Sequence, residues 1–241
     1  MSAKKTVIGL LLFGIIMILT ALCFDLAFRR VYTEPTAGTA SLKKRQVIID
    51  AGHVGMYGGA VSVTGTLEKD LNLSVAKKAE ALFTAAGYEV VMTRDGDYML
   101  SSDASGGSKI RDLKGRLDIA NSNPDAAFIS IHMNKFPIAK YSGTQVYYGE
   151  KNSSGRALAA EIRKYVMEYL QPENEREIKG VGSSIFLLDN IEGKAVLVEC
   201  GFLSNQAEAE MLENDDYQKK LVLVLLGGFS SSEEQDRRMT E

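Results

Sequence analysis

Histidine, cysteine and tryptophan are scarce in this chain of 241 residues, and the scarcity of each argues against particular classes of protein or site. Two cysteines are too few for the disulfide framework of a small secreted domain. No tryptophan is present to stack on a sugar, and the only two histidines, His53 and His132, exclude a histidine-rich metal tract. The net charge of −3 argues against binding nucleic acid through a basic surface. The hydrophobic share of 45% excludes a disordered chain and suffices for one good-sized domain or two small ones.

One long apolar run is present, the uncharged residues 6–24 (TVIGLLLFGIIMILTALCF). As a helix it would extend about 28 Å, close to the thickness of the hydrocarbon core of a bilayer. No clean small-x-small cleavage site follows, which favours an uncleaved membrane anchor over a signal peptide, and either one places the rest outside the cytoplasm. We therefore divide the chain into an anchor or signal sequence (1–32), a linker (33–45), a folded domain (46–229) and a solvated polar tail (230–241).

Within the folded domain, strand-like and helix-like segments alternate. Short apolar runs that resemble strands lie at 46–50, 88–93, 126–132, 144–148, 184–188 and 195–200. Helical periods of apolar residues begin at Glu68, Ile110, Leu158 and Tyr217, the third of them ending with Tyr169. The alternation predicts an α/β fold, a three-layer sandwich with a mostly parallel central sheet flanked by helices. Residues 95–109 have no period and are rich in Gly, Ser and Asp, which is typical of a functional or mobile loop.

Both histidines follow predicted strands at the same kind of position. His53 comes directly after the strand that contains VIID, and His132 closes the run AFISIH. Either residue alone is more often a structural, hydrogen-bonded histidine. Open α/β sheets, however, bind ligands beyond the carboxyl ends of their strands, and this favours one shared site.

Two glutamates are candidates to complete that site. Glu68 opens the first predicted helix, where an acid ordinarily interacts with the helix dipole, but two histidines and a glutamate also form a catalytic zinc set with one open position. Glu199 interrupts the buried run AVLVECGF. It is either a general base whose pKa is raised by burial or the ion-pair partner of Arg94 or Arg116, and the sequence leaves both open.

Arg94 and Asn134 are further polar residues at predicted strand ends. Arg94 ends EVVMTR, and Asn134 lies two residues beyond His132. Each is a candidate to orient a ligand residue or contact the substrate, and loop capping is the alternative.

Six stretches of the chain, in order, resemble the zinc-dependent N-acetylmuramoyl-L-alanine amidases of bacterial cell walls. The stretches are VIIDAGHVGMYGGAV, LEKDLNL, VVMTR, the R-x-x-x-AN run at Arg116, ISIHMN and VLVECGFLSN, which together cover residues 46–229. The resemblance implies a Zn²⁺ ion held by His53, Glu68 and His132, with Glu199 as the catalytic carboxylate. It also implies peptidoglycan as the substrate, cleaved at the amide bond between the muramic acid lactyl group and L-alanine.

The long loop and the catalytic domain behind one apolar segment resemble the germination-type amidases of spore formers. That subgroup implies a role in spore cortex, where stem peptides are trimmed so that muramic-δ-lactam can form, and the spore intermembrane space as location. Two departures bear on the metal loop: Val54 replaces a usual glycine, and Lys194 stands where the family often has proline.

Three other functions remain open from the sequence. A zinc carboxypeptidase would need His-x-x-Glu, but Met56 stands three residues after His53. A non-catalytic or partner-activated peptidoglycan-binding protein, or a membrane-tethered interaction protein, would lack enzymatic activity of its own. Because the sequence contains no recognisable wall-targeting module, we expect an accessory protein to assist activation or targeting.

Overall fold

The computed structural model describes residues 45–100 and 108–240, which fold into six strands and six helices. The strands are β1 (Gln46–Ala51), β2 (Glu89–Met92), β3 (Ala127–Asn134), β4 (Gln145–Gly149), β5 (Lys179–Val181) and β6 (Ala195–Phe202). The helices are α1 (Glu68–Ala85), α2 (Ser108–Asn121), α3 (Ser153–Tyr169), α4 (Phe186–Asn190), α5 (Gln206–Glu213) and α6 (Asp215–Thr240). The predicted membrane segment and most of the linker lie outside the described residues. Among those described, no helix is both long and apolar enough to cross a membrane.

All six strands form one mixed sheet in the order β2-β1-β3-β6-β4-β5. Four neighbouring pairs are parallel, and β4 runs antiparallel to β6. The α/β prediction is confirmed, whereas the reversed direction of β4 was not visible in its sequence. Because β1, β3 and β6 are parallel, their carboxyl ends meet at one edge of the sheet, where His132 pairs in register with Glu199.

Side-chain alternation along the central strands produces a core on each face of the sheet. One face presents Ile49, Ile129 and Val196 to α1, α3 and α6. The opposite face presents Ile48, Phe128 and Leu197 to α2 and α4. On this second face, the residues near the carboxyl edge of the sheet are polar rather than apolar. These polar side chains therefore lie next to α2 and α4, which pack on the same face.

Residues 184–188, predicted as a strand, belong instead to the turn before α4 and to α4 itself. The edge strand next to β4 is instead β5, which precedes these residues in the chain. A short apolar run does not distinguish a strand from a buried helical turn, and here Leu187 and Leu188 pack in the core beneath α2. Ile110 and Tyr169, expected in the apolar stripes of their helices, are 59% and 63% exposed.

The segment 230–241, predicted as a solvated tail, continues α6 through Thr240. Ser232 is buried, and the Ser231 hydroxyl donates to Glu161 Oε2 at 2.8 Å. Lys194, directly before β6, forms ion pairs with Glu233 and Asp236. These contacts hold the end of the helix against the domain because its polar residues meet polar partners there.

Candidate active site

His53, Glu68 and His132 converge at the carboxyl edge of the sheet. Glu68 Oε1 lies 3.1 Å from both His53 Nε2 and His132 Nδ1, and one donor atom from each residue lies within 4.8 Å of the other two. β1 ends just before His53, α1 begins at Glu68, and β3 carries His132. Burial alone would raise the pKa of Glu68, but hydrogen bonds with His132 and His53 hold it well below its usual value. This anionic carboxylate between two imidazoles fits a divalent metal, and two histidines with one glutamate leave zinc an open position.

The loop that carries His53 requires unusual backbone geometry. His53 has φ +61°, and a Cβ on Gly59, at φ +74°, would collide with Glu68 Oε2 and approach His53 Cδ2 to 2.8 Å. A Cβ on Gly52 would overlap the His132 ring. Val54, the departure from the family pattern, is 2% exposed, and its backbone pairs with Tyr57. The loop therefore keeps a paired backbone with a valine at this position.

Glu199 lies beside the metal donors with an unsatisfied buried oxygen. Its Oε2 has no hydrogen-bond partner among the described residues. Burial raises the pKa of Glu199 to about 7, His132 opposes this rise, and Glu68 adds to it. A carboxylate that titrates near neutrality and has a free oxygen can both accept and donate a proton.

The alternative that Glu199 is neutralised by Arg94 or Arg116 is wrong. Arg116 bonds to Asp50 at 2.6 Å and to Asp112 at 2.8 Å, and it also donates to the carbonyl of Ala51. Asp50, which the sequence did not single out, additionally accepts hydrogen bonds from Thr93 and Ser130. Burial alone would raise the pKa of Asp50, but Arg116 and the two hydroxyls lower it overall.

Arg94 is 1% exposed, and its hydrogen-bond acceptors in the described part of the chain are backbone carbonyls. It donates to Ala51 at 2.8 Å, Gly52 at 3.1 Å, Lys69 at 2.8 Å and Gly96 at 3.1 Å. Of the roles left open by the sequence, Arg94 shows loop hydrogen bonding, and two of its acceptors, Ala51 and Gly52, lie directly before His53. It is too deeply buried to contact a substrate.

Asn134 is not brought into the cluster. Its carbonyl accepts from the Leu203 N–H at 2.7 Å, after a register shift between His132 and Asn134. The described residues that line the site cavity do not include it.

Asn72 is a positioning residue that sequence reasoning missed. Its side-chain amide donates to the Gly52 carbonyl at 3.0 Å and to Glu68 Oε1 at 3.5 Å. The available signal was the spacing of four residues from Glu68, which places both side chains on one face of α1.

A cavity of about 300 Å³ opens beside the metal donors and Glu199. α2 and the residues around α4 form its outer wall, with side chains of Lys109, Leu113, Ile185, Phe186 and Leu187. The cavity thus combines an apolar wall with a polar base that contains the reactive groups, as ligand pockets commonly do.

Comparison with known proteins places this chain in a class of enzymes that hydrolyse peptidoglycan. The family model for N-acetylmuramoyl-L-alanine amidase matches residues 47–228. The chain therefore belongs to the N-acetylmuramoyl-L-alanine amidase family, and the predicted family and enzyme class are confirmed.

Individual relatives are similar over most of the domain. The chain is 34% identical over 193 residues to the germination-specific N-acetylmuramoyl-L-alanine amidase of Bacillus subtilis (strain 168), covering 78% of this chain and 79% of that protein. The solved CwlD amidase from Clostridioides difficile, in complex with the GerS lipoprotein, superimposes with a TM-score of 0.76 at 31% identity, covering 79% of this chain and 99% of that chain. The AmiC2 amidase of Nostoc punctiforme gives a TM-score of 0.68 at 28% identity, covering 79% and 97%.

Proposed function

We propose that His53, Glu68 and His132 hold a zinc ion and that Glu199 is the general base of amide hydrolysis. The bond cleaved is the amide between the lactyl group of N-acetylmuramic acid and L-alanine of the stem peptide. The observation that carries the proposal is the buried, unpaired Oε2 of Glu199 beside three convergent metal donors. A buried carboxyl oxygen without a partner is costly, and its retention beside such donors is typical of a catalytic site.

Zinc bound by this set would supply Lewis-acid polarisation and lower the pKa of a water molecule. Glu199 accepts a proton from the attacking water molecule as the water oxygen adds to the amide carbonyl carbon. The same carboxyl then delivers the proton to the leaving nitrogen of L-alanine. A pKa of about 7 suits Glu199 to both transfers, since neither protonation state is strongly favoured at neutral pH.

Residues outside the proposed ligand set would hold Glu68 and the two histidines in fixed positions. Asn72 and Arg94 bind the Gly52 carbonyl, while Arg116 donates to the His53 carbonyl at 3.3 Å. Outer contacts of this kind orient metal ligands and strengthen metal binding.

We further propose that the chain acts on spore cortex, outside the cytoplasm, and is anchored by residues 6–24. Its similarity to a germination-specific amidase supports the cortex role, and the uncharged apolar run supports the anchor. The relative CwlD was solved in complex with a lipoprotein, which supports an accessory protein for this chain as well.

The test is digestion of purified peptidoglycan by the full chain, read by mass spectrometry. We expect release of stem peptides with a free L-alanine amine, and loss of that activity on chelation. The Glu199→Gln variant should retain zinc and lose about 10²- to 10⁴-fold in rate, the usual contribution of general acid–base catalysis.

Each part of the proposal has its own contrary outcome. Undiminished hydrolysis by Glu199→Gln would remove the role of Glu199, and undiminished hydrolysis after chelation would remove zinc. A zinc-loaded chain that binds peptidoglycan and releases no peptide would favour the alternative of a non-catalytic or partner-activated peptidoglycan-binding protein.

A further inference from the structure

Gly55, two residues after His53, has both of its backbone polar groups bound by side chains. Its N–H donates to Asp97 Oδ1 at 2.6 Å, and its carbonyl accepts from Lys69 Nζ at 3.0 Å. Lys69 Nζ also lies 2.5 Å from Asp97 Oδ2. We name these three residues, Gly55, Lys69 and Asp97, the Gly55 clasp.

The clasp joins two elements that carry metal donors. Lys69 follows Glu68 in the first turn of α1, whereas Gly55 belongs to the loop that carries His53. Asp97 reaches Gly55 from the segment after β2 and therefore bridges a separation of 42 residues along the chain. Any movement of the His53 loop away from Glu68 would break these contacts.

The loop needs such support because its backbone is strained. His53 has φ +61° and Gly55 has φ +53°, so two left-handed residues flank Val54. A left-handed conformation costs a residue such as histidine about 1–2 kcal/mol. It persists only where surrounding contacts enforce it, and functional sites are where such conformations cluster.

The ion pair contributes little to the stability of the whole fold. The Lys69 side chain is 13% exposed and that of Asp97 is 44% exposed. Pairs this accessible to solvent usually contribute less than about 1 kcal/mol. Removing the pair should therefore affect the loop that carries His53 much more than global unfolding.

We propose that Lys69 and Asp97 are positioning residues that set zinc affinity by holding Gly55, and this inference rests on the proposed zinc function. Neither Lys69 nor Asp97 is among the described residues that line the cavity, and in the loop that carries His53 they bind the N–H and carbonyl of Gly55. Their effect is to preorganise His53 opposite Glu68 before metal binds, which lowers the ordering cost of binding.

The experiment measures zinc affinity of the full chain against a competing chromophoric chelator. We expect Asp97→Ala to weaken zinc binding about tenfold, the lower end of what outer contacts to metal ligands contribute. The thermal midpoint of the metal-free chain should stay near that of the wild type. The matched control is Asp95→Ala, since Asp95 lies in the same segment and, among the residues that the structure describes, forms its hydrogen bonds with Tyr98.

Two further variants separate the contacts within the clasp. Asp97→Asn keeps an oxygen for the Gly55 N–H and should weaken zinc binding less than Asp97→Ala. The exchange Lys69→Asp with Asp97→Lys keeps opposite charges but presents the wrong polarity to both groups of Gly55, so it should not restore affinity. Restored affinity in the exchange would overturn the role assigned to Gly55.

The contrary results are distinguishable from failure of the proposed function. Zinc affinity of Asp97→Ala within twofold of Asp95→Ala, with wild-type zinc binding intact, would overturn the clasp alone. A wild-type chain that binds no zinc would overturn both. If Asp97→Ala lowered the thermal midpoint of the metal-free chain as well as the zinc affinity, the weaker binding would follow from a less stable fold. That result would make Asp97 a structural residue and would also overturn the inference.

Discussion

At the scale of single residues, Gly59 shows how closely the loop that carries His53 packs against the proposed zinc ligands. A Cβ at Gly59 would collide with Glu68 Oε2, whereas a Cβ at Gly65 would meet nothing within 4 Å. Both glycines have positive φ, +74° and +96°. An alanine is therefore conformationally strained at either position, but only at Gly59 would it displace Glu68, a proposed zinc ligand.

We expect Gly59→Ala to weaken zinc binding by at least tenfold, because the Glu68 carboxylate must move away from its position between the two histidines. Gly65→Ala carries the same kind of backbone cost, about 1 kcal/mol, and should leave zinc affinity unchanged. Competition titration on both variants gives the comparison. Equal affinities would mean that Glu68 tolerates displacement or is not a ligand.

That the candidate residues converge could be predicted from the sequence, but their partners could not. His53 follows β1, while His132 and Glu199 interrupt the apolar runs of β3 and β6 toward their carboxyl ends, and a polar residue there is conspicuous. The partners of Arg94 and Arg116 depend on which strands become neighbours. Arg116 meets Asp50 across 66 positions of the chain, a pairing that no local pattern specifies.

At the scale of elements, the contact between α6 and the residue directly before β6 explains a departure from the family pattern. Lys194 stands where the family often has proline, and its Nζ lies 3.0 Å from Glu233 Oε1 and also pairs with Asp236. The same polar segment was predicted as a solvated tail because its composition is that of an exposed surface. Amphipathic patterns predict which helix face is buried by apolar contacts, but they miss a face held by ion pairs.

We expect the double variant Glu233→Gln with Asp236→Asn to lower the free energy of unfolding by about 1 kcal/mol, screening by solvent included. The physical reason is that Lys194, whose side chain is 13% exposed, would lose both anionic partners. Glu234→Gln is the matched control, since Glu234 pairs with the exposed Arg238 and, among the described residues, not with Lys194. Urea unfolding measures the difference. Equal stabilities would show that the end of α6 is not held by this contact.

At the scale of the whole molecule, one buried charge network links the sheet, α2 and the site. Asp50 of β1 binds Arg116 of α2 and accepts from Ser130 of β3, while Arg116 also reaches the His53 carbonyl. Burying a pair of charges stabilises a fold only when further hydrogen bonds satisfy both partners. Asp50 and Arg116 meet that condition, so the network should make the stability of the fold depend on pH.

The sign of that dependence follows from the lowered pKa of Asp50, which Arg116 and two hydroxyls produce against the effect of burial. A carboxyl whose pKa is lower when folded contributes stability above about pH 4, and this is lost as pH falls through the folded value. We expect Asp50→Asn to flatten this acid loss and to destabilise the metal-free chain at pH 7 by about 3 kcal/mol. Urea unfolding between pH 3 and 7, with the exposed Asp118→Asn as control, measures both effects. If the free energy of unfolding fell as steeply with decreasing pH in Asp50→Asn as in the control, the loss of stability in acid would have to come from other carboxylates.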